Sequence, residues 1–219
     1  MMFGIGNSHA VSEPFYPDQL TETLAWWDAN DVSTITATGD AVTKWASKVG
    51  TQAFDNVPVS SPTYSPTSFN GYSGLNFNGV DQSLQQTGIG SFPASAEVWI
   101  FALVEQAGPF TTAQRSIFTF GATTATTQRR LGSVGVSDTT RFTMFNNALV
   151  DTAVNFVGYH VVGGSFSSTS TTGRIDGETT RPSNSTTAMT AGSTRIRLGA
   201  GGATTPTHCI GGAKSPNSS

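Results

Sequence analysis

The sequence predicts an all-β protein, an antiparallel sandwich or jelly roll, and three observations support this. Short apolar or alternating stretches recur along the chain, separated by clusters of Gly, Asn, Asp, Ser and Thr. Helical periodicity is almost absent. The length of 219 residues suits one large β domain. Many short strands joined by tight turns are typical of a sandwich.

Two early segments alternate with the period of a half-buried strand. In "AVTKWASK" the pattern places Val42 and Trp45 toward the core and leaves the Thr and Lys between them outside. In "GLNFNGV" the apolar residues Leu75 and Phe77 alternate with two asparagines. Before them, "LTETLAWWDANDVSTI" is the best candidate for a short helix or turn.

The segment "EVWIFALVEQ" differs because it is almost continuously apolar from Val98 to Val104. It is short, rich in β-branched and aromatic residues, and bounded by Pro93 and Gly108. Such a run is typical of a central strand covered on both faces. We therefore expect the most buried strand of the protein here.

The second half of the chain continues with strand-like segments and one strong hairpin signal. In "RIDGET", Asp176-Gly177 can adopt the positive φ angles of a type I′ turn. Asp176 is therefore interpreted as a turn residue rather than a catalyst. The strands are predicted in "SIFTFG", "RRLGSVGV", "RFTMFNN", "YHVVGGSFS", "TGRIDGETT" and "TRIRLGAG".

The ends of the chain lack a strand pattern, which divides it into an arm (1–19), a sandwich (20–205) and a polar tail (206–219). Gly and Pro punctuate the arm, so it is expected to be extended. We expect the arm to serve assembly through its apolar side chains, Phe3, Ile5, Phe15 and Tyr16.

Composition excludes several classes of function. Charged residues make up 11% of the chain and the net charge is −3, so no basic stripe is present to bind nucleic acid. No segment reaches the roughly 18 apolar residues of a membrane helix, and the N-terminus lacks the features of a signal peptide. A single cysteine, Cys209, excludes an intrachain disulfide.

The order of the segments resembles the concanavalin A-like lectin/glucanase superfamily. The resemblance is carried by "PDQLTETLAWWDANDVSTIT", "AVTKWASKVG", "SPTYSPTSFNGYSGLNFNGVDQSLQ", "VWIFALVEQ", "HVVGGSFSSTSTTGRIDGET" and "IRLGAG", over about residues 17–202. It is nearest to the laminin-G-like domains of phage virion and bacterial surface proteins. It implies a jelly roll of two curved antiparallel sheets that serves binding or structure.

The run "FNGYSGLNFNGVDQSL" is interpreted as mainly architectural. Phe77 is expected in the core, Gly79 in an unusual backbone conformation, and Asp81 hydrogen-bonded within the turn. An alternative makes Asp81, with Asn78, a calcium ligand. One carboxylate supplies few of the six to eight or so oxygens that calcium takes, so no cofactor is predicted.

The same run provides the candidate carbohydrate site. An exposed aromatic ring can stack on a sugar while amide and carboxylate groups bind its hydroxyls. Ordinary loop and edge roles explain these residues equally simply. The candidates are Tyr64, Asn70, Tyr72, Asn78 and Asp81, with Trp27 as a further aromatic.

No catalytic signature is found, and the chain is predicted not to be an enzyme. The Glu-x-Asp-x-x-Glu motif of the superfamily's glucanases is absent, and the nearest pair, Asp176 and Glu178, falls on the predicted hairpin. His160 would begin a strand and is interpreted as a structural histidine. No zinc-hydrolase or serine-hydrolase motif accompanies it.

The resemblance fails at the C-terminus, where "THCIGGAKS" stands in place of the usual closing strand. We therefore expect the arm or a neighbouring chain to cover an open sheet edge. The function predicted is a phage virion protein, such as a capsid decoration, head-fibre or tail component, made in the host cytoplasm. Its partners would be virion proteins or its own copies, and surface glycans. The alternatives are a free-standing carbohydrate-binding domain and a glycoside hydrolase.

Overall fold

The computed structural model describes residues 16–56, 60–78, 81–87, 98–106, 114–121, 128–136, 139–146, 149–167, 170–179, 195–199 and 208–210. Within them the chain forms sixteen strands, all paired antiparallel, which confirms the predicted all-β fold. The strands are β1 Ile35–Thr38, β2 Ala41–Ala46, β3 Ala53–Asn56, β4 Thr63–Phe69, β5 Tyr72–Asn76, β6 Leu84–Thr87, β7 Val98–Gln106, β8 Gln114–Gly121, β9 Gln128–Val136, β10 Thr139–Asn146, β11 Leu149–Asn155, β12 Gly158–Phe166, β13 Thr171–Ile175, β14 Glu178–Thr179, β15 Arg195–Leu198 and β16 His208–Ile210.

The strands form two layers of a sandwich. One layer has the order β11-β10-β9-β8-β15-β6-β3-β2, with β1 paired to β2. The other has the order β4-β5-β16-β7-β12-β13-β14. The layers are joined where Ala41 of β2 pairs with Thr63 of β4. The hydrogen-bonded path is therefore continuous, although its two halves face each other.

Both layers contribute to one apolar core. The fully or almost fully buried side chains include Trp45, Phe54, Leu84, Ile117 and Leu131 from the first layer, and Leu75, Val104, Val162, Phe166 and Ile175 from the second. Burying each large side chain of this kind contributes about 1.5–3 kcal/mol. The inward residues of the alternating segments thus hold the two layers together.

A β-bulge explains why Val42 and Trp45, three residues apart, both face the core. Thr36 of β1 pairs with Lys44, whereas the next residue, Ala37, pairs with Val42. Thr43 is therefore the extra residue of the bulge, which shifts the alternation by one position. The inward placement of Val42 and Trp45 predicted from the sequence is confirmed.

Strand β7 is central, between β16 and β12, but it is not covered on both faces. Its inward residue Val104 is fully buried, whereas Trp99 is 44% exposed and Phe101 is 64% exposed. The prediction of the most buried strand is therefore wrong. A continuous apolar run does not distinguish two buried faces from one buried face and one apolar surface.

The segment before β1 contains no α-helix among its described residues. It has two 3₁₀ turns, at Pro17–Gln19 and Val32–Thr34, and an extended stretch between them. The backbone N–H of Lys48 donates to Trp26 O at 2.7 Å, and the Lys48 ammonium lies 3.4 Å from the buried Asp28 carboxylate. Extended pairing with the chain after β2 therefore replaces the helix considered from the sequence.

Strand β16 lies within the stretch predicted as a polar tail and occupies the place where a closing strand was expected to be missing. Its central residue Cys209 pairs with Leu75 of β5 and with Val104 of β7. Three residues are too few to show a period of two, so the sequence could not reveal this strand. Of the predicted arm, Phe3, Ile5 and Phe15 lie outside the described residues.

Candidate functional site

The hairpin between β13 and β14 turns through Asp176 and Gly177, with φ angles of 51° and 86°. These values confirm the predicted type I′ turn. The turn is attached to β12, because Asp176 N–H donates to Val161 O at 2.8 Å. In return, Val161 N–H donates to Asp176 Oδ1 at 2.9 Å.

The carboxylate of Asp176 also accepts a hydrogen bond from a histidine. His160 Nδ1 lies 2.7 Å from Asp176 Oδ2. Partial burial raises the pKa of Asp176, but the hydrogen bonds from His160 and Val161 N–H outweigh burial and hold the pKa below its ordinary value. Asp176 is therefore ionised at neutral pH and acts only as a hydrogen-bond acceptor.

His160 contacts the protein through its ring face and through both ring nitrogens. Its ring stacks on Phe156 with the centroids 5.1 Å apart, and its Nε2 lies 3.3 Å from Val157 O. Both ring nitrogens therefore face acceptors of the protein itself. This arrangement agrees with the structural role predicted for His160.

A second type I′ turn lies beside the first. Asn70 and Gly71 connect β4 to β5 with φ angles of 48° and 85°. The flanking residues Phe69 and Tyr72 pair across the hairpin. The Phe69 ring packs edge to face against Tyr159 of β12, with centroids 4.6 Å apart. This aromatic pair brings the β4–β5 turn to the strand that carries His160.

The two turns enclose an open pocket of ≈ 430 Å³. The pocket combines aromatic and aliphatic side chains with the ionised Asp176 and its partner His160. Asn70 of the β4–β5 turn adds an amide to the lining. The lining comprises Phe69, Tyr72 and Tyr159, then Leu103 and Val161, and the polar Asn70, His160 and Asp176.

The structure brings together only part of the predicted carbohydrate site. Asn70 and Tyr72 line the pocket, whereas Tyr64 packs against the core and its hydroxyl lies 3.2 Å from Ser73 Oγ. Trp27 also packs on the core, with its ring 4.4 Å from that of Phe54. Neither Tyr64 nor Trp27 therefore lines the pocket.

Asn78 and Asp81 form a separate turn that is satisfied by its own hydrogen bonds. Asn78 Nδ2 donates to Asp81 Oδ1 at 2.6 Å, and Asn78 Oδ1 accepts from the N–H groups of Asp81 and Gln82. Phe77 beside it is buried. This geometry matches the architectural interpretation of Phe77 and Asp81, whereas Gly79 lies outside the described residues. Across the described ranges, no three His, Cys, Asp or Glu side chains lie close enough together to hold a metal ion.

Sequence reasoning missed Phe69, Leu103, Tyr159 and Val161 as pocket residues. Beyond Asn70 and Tyr72, the sequence signal that marked this pocket was the Asp176-Gly177 turn, but that turn was interpreted as structural. Glu178, the partner considered for Asp176, is exposed and does not line the pocket. No helix in the described part of the chain has the length and hydrophobicity that a membrane crossing requires.

Comparison with known proteins finds solved structures that align with part of this chain. No protein-family model matches the chain, and no curated protein matches it. The enzymatically active domain of tailspike protein 2 from bacteriophage CBA120 aligns with 75% of this chain at 14% identity and a TM-score of 0.49. The alignment covers 29% of that tailspike chain, so this protein corresponds to less than a third of it.

Two further solved structures align over most of their own length. Domain 4 of AbnA, an extracellular GH43 arabinanase from Geobacillus stearothermophilus solved with arabinotriose, covers 88% of this chain and 94% of its own, at 14% identity and a TM-score of 0.46. An endo-β-1,4-glucuronan lyase from Trichoderma reesei covers 72% of this chain and 90% of its own, at 12% identity and a TM-score of 0.39.

Proposed function

We propose that this protein is a non-enzymatic carbohydrate-binding module whose site is the pocket between the β4–β5 turn, β12 and the β13–β14 turn. The observation that carries the proposal is that an ionised carboxylate and aromatic rings line the same open pocket. Tyr159 is 49% exposed, so a ligand can reach its ring. Sugar recognition needs this combination, because a sugar has apolar C–H faces and polar hydroxyls.

The polar groups of the pocket retain capacity for a ligand. Each oxygen of Asp176 accepts one hydrogen bond from the protein, from Val161 N–H or from His160. An ionised carboxylate has about four lone-pair sites, so two remain for sugar hydroxyls. The amide of Asn70 can both donate and accept. Adjacent hydroxyls of a pyranose can donate to the Asp176 carboxylate and exchange hydrogen bonds with the Asn70 amide.

The charge state of Asp176 supports binding rather than hydrolysis. Glycosidases use two carboxyl groups about 5–9.5 Å apart, and one of them needs a raised pKa to act as the acid. Among the described residues that line this pocket, Asp176 is the only carboxylate, and its pKa is lowered.

The test is binding to a glycan array, followed by calorimetry with the sugars that bind. Asp176→Asn removes the charge and one accepting oxygen, and Asn70→Gly removes the amide. Both variants keep residues that tolerate a positive φ, so both turns are preserved. Tyr159→Ala removes the exposed ring. We expect each variant to lose affinity by about fivefold to tenfold or more.

Asp81→Asn is the matched control, because it removes one carboxylate from the turn that lies outside the pocket. It should bind as the unmodified protein does. Equal losses in Asp81→Asn and Asp176→Asn would show that the losses come from general charge effects, and absence of binding to every glycan would refute the proposal.

We also infer that the module belongs to a virion and that its arm mediates assembly with copies of this chain or with other virion proteins. The Ser-, Thr- and Gly-rich composition with its low fraction of charged residues supports this inference. Light scattering during size-exclusion chromatography tests it, on the full chain and on a chain lacking residues 1–15. An oligomer that depends on the arm is expected, and a monomer in both forms would favour a free-standing binding domain.

A further inference from the structure

The outer face of the second layer continues from the pocket along β7. Leu103 of β7 and Val161 of β12 line the pocket and are paired across the two strands. The next outward residues of β7 are Phe101 and then Trp99. Leu103 and Trp99 lie four positions apart on β7, a distance of about 13 Å along the strand. The surface is therefore longer than a single sugar ring.

Phe101 and Trp99 form an exposed aromatic surface. Their rings are nearly parallel, with an interplanar angle of 9° and centroids 5.9 Å apart. Val161 beside them is 50% exposed. Contiguous apolar surfaces of this kind on a sheet indicate an interaction site, because the core is already formed by the inward residues.

A glycine of the neighbouring strand makes room for this surface. Gly163 of β12 pairs with Phe101, and a Cβ placed on Gly163 would lie 2.5 Å from Phe101 Cδ1. The Phe101 ring therefore occupies space that any other residue at position 163 would fill. The backbone of β12 thus allows the ring to approach the sheet closely.

A cation lies beside the aromatic surface. Arg174 of β13 is exposed, and its guanidinium carbon lies 6.0 Å from the centroid of the Trp99 ring. In the described part of the chain, this guanidinium forms no ion pair with a carboxylate. Arginine binds carboxylates through two parallel hydrogen bonds, so Arg174 can recognise an anionic group next to a stacked ring.

We propose that the ligand is an acidic polysaccharide, with one sugar in the pocket and the following sugars along β7 over Phe101 and Trp99. The carboxylate of a uronic acid residue in the chain binds Arg174. This inference rests on the proposed function of the pocket and specifies its ligand as an anionic, extended glycan. Continuity with the pocket favours an extended glycan. The positive charge beside the rings favours an acidic glycan over a neutral one.

The test is calorimetry on the full chain with matched oligosaccharides. The probes are cello-oligosaccharides and galactan oligosaccharides, from monosaccharide to hexasaccharide, and the corresponding uronic acid oligomers. We expect affinity to rise with length and to be higher for the uronic acid members. That preference should weaken when sodium chloride is raised from about 0.01 M to about 0.5 M.

Two variants separate the surface from the pocket. Trp99→Ala should lower hexasaccharide affinity about tenfold and leave monosaccharide affinity unchanged. Arg174→Gln should abolish the preference for uronic acids. Lys44→Gln is the matched control, because Lys44 is an exposed cation on β2 in the other layer. If Trp99→Ala does not fold, as judged by circular dichroism, Trp99→Leu replaces it.

The outcomes distinguish this inference from the proposed function. Binding that Asp176→Asn weakens but that Trp99→Ala and Arg174→Gln leave intact would overturn the inference and keep the pocket. A preference for the neutral oligomers would also overturn it, as would a dimer that Trp99→Ala converts to monomer. Loss of binding to every glycan would overturn both.

Discussion

Replacing Asp176 by Asn tests whether the charge of this carboxylate fastens the β13–β14 turn to β12. The substitution keeps the shape of the side chain, and Asn-Gly remains a favourable pair for a type I′ turn. It removes the negative charge that accepts hydrogen bonds from His160 and Val161 N–H. Because asparagine has one accepting oxygen instead of two, any loss of stability reports the charge together with one of these two hydrogen bonds, and not the backbone.

The size of the effect follows from exposure. Hydrogen bonds to charged groups contribute about 1.5–3 kcal/mol when buried. The Asp176 side chain is 52% exposed, so solvent screens much of this energy. We expect Asp176→Asn to lower the free energy of unfolding by about 1 kcal/mol. Asp176→Ala should lower the free energy of unfolding by about 2–3 kcal/mol, because alanine is also strained at the positive φ of this turn position.

The effect should depend on pH in one direction. The pKa of Asp176 is lowered in the folded protein from a reference value of 3.8. Its contribution to stability is therefore fully present above that reference value and is lost as the pH falls through the lower pKa of the folded state. The difference between the unmodified protein and Asp176→Asn should be constant between about pH 5 and pH 6 and shrink below about pH 4.

Urea unfolding followed by tryptophan fluorescence measures this difference at each pH. Glu178→Gln serves as the control, since it removes an exposed carboxylate from the same hairpin, and it should change stability much less. A difference that is absent at pH 6, or that grows as the solution is acidified, would refute the role assigned to the ionised carboxylate.

Three further substitutions test the architecture by urea unfolding. Gly163→Ala should destabilise by about 1–2 kcal/mol through its clash with Phe101, and the cost should fall when Phe101→Ala is added. Asn78→Ala should cost about 1–2 kcal/mol by breaking its turn, with a melting temperature insensitive to a calcium chelator. Lys48→Met should lower the free energy of unfolding by about 1–2 kcal/mol, because it leaves buried Asp28 without its cation. Adding Asp28→Asn should recover part of this loss. If the losses of the two single variants were fully additive in the double variant, the pairing would be contradicted.

Local sequence patterns predicted most of the strands and some of their inward residues, but not the exposure of β7. The Asp176-Gly177 turn was predictable because two adjacent residues determine it. The inward placement of Val42 and Trp45 was predictable because large apolar residues define the inner face even across a bulge. Strand β7 was assigned the wrong environment, since what covers its outer face depends on the rest of the molecule and not on its own residues.

The candidate site was only partly predictable because it depends on long-range contacts. Asn70 and Asn78 are close in sequence and were grouped together, but β5 separates them and places their turns at opposite ends of the strand. Tyr159 and Asp176 reach the pocket through the pairing of β12 with its neighbours and through the contact of Tyr159 with Phe69. No local period contains that information.

Strand β7 was predicted to be buried on both faces, but its outer face is exposed, and this exposure suggests a function for that face. Both edges of this strand are paired, so its backbone needs no further cover. Its inward residues, such as Val104, already complete the core. The outward positions could therefore be polar, as Lys44 is on β2 and Arg174 is on β13. The exposed aromatic rings of Trp99 and Phe101 lie outside the core, and their continuity with the Asp176 pocket supports a ligand as the reason for their presence.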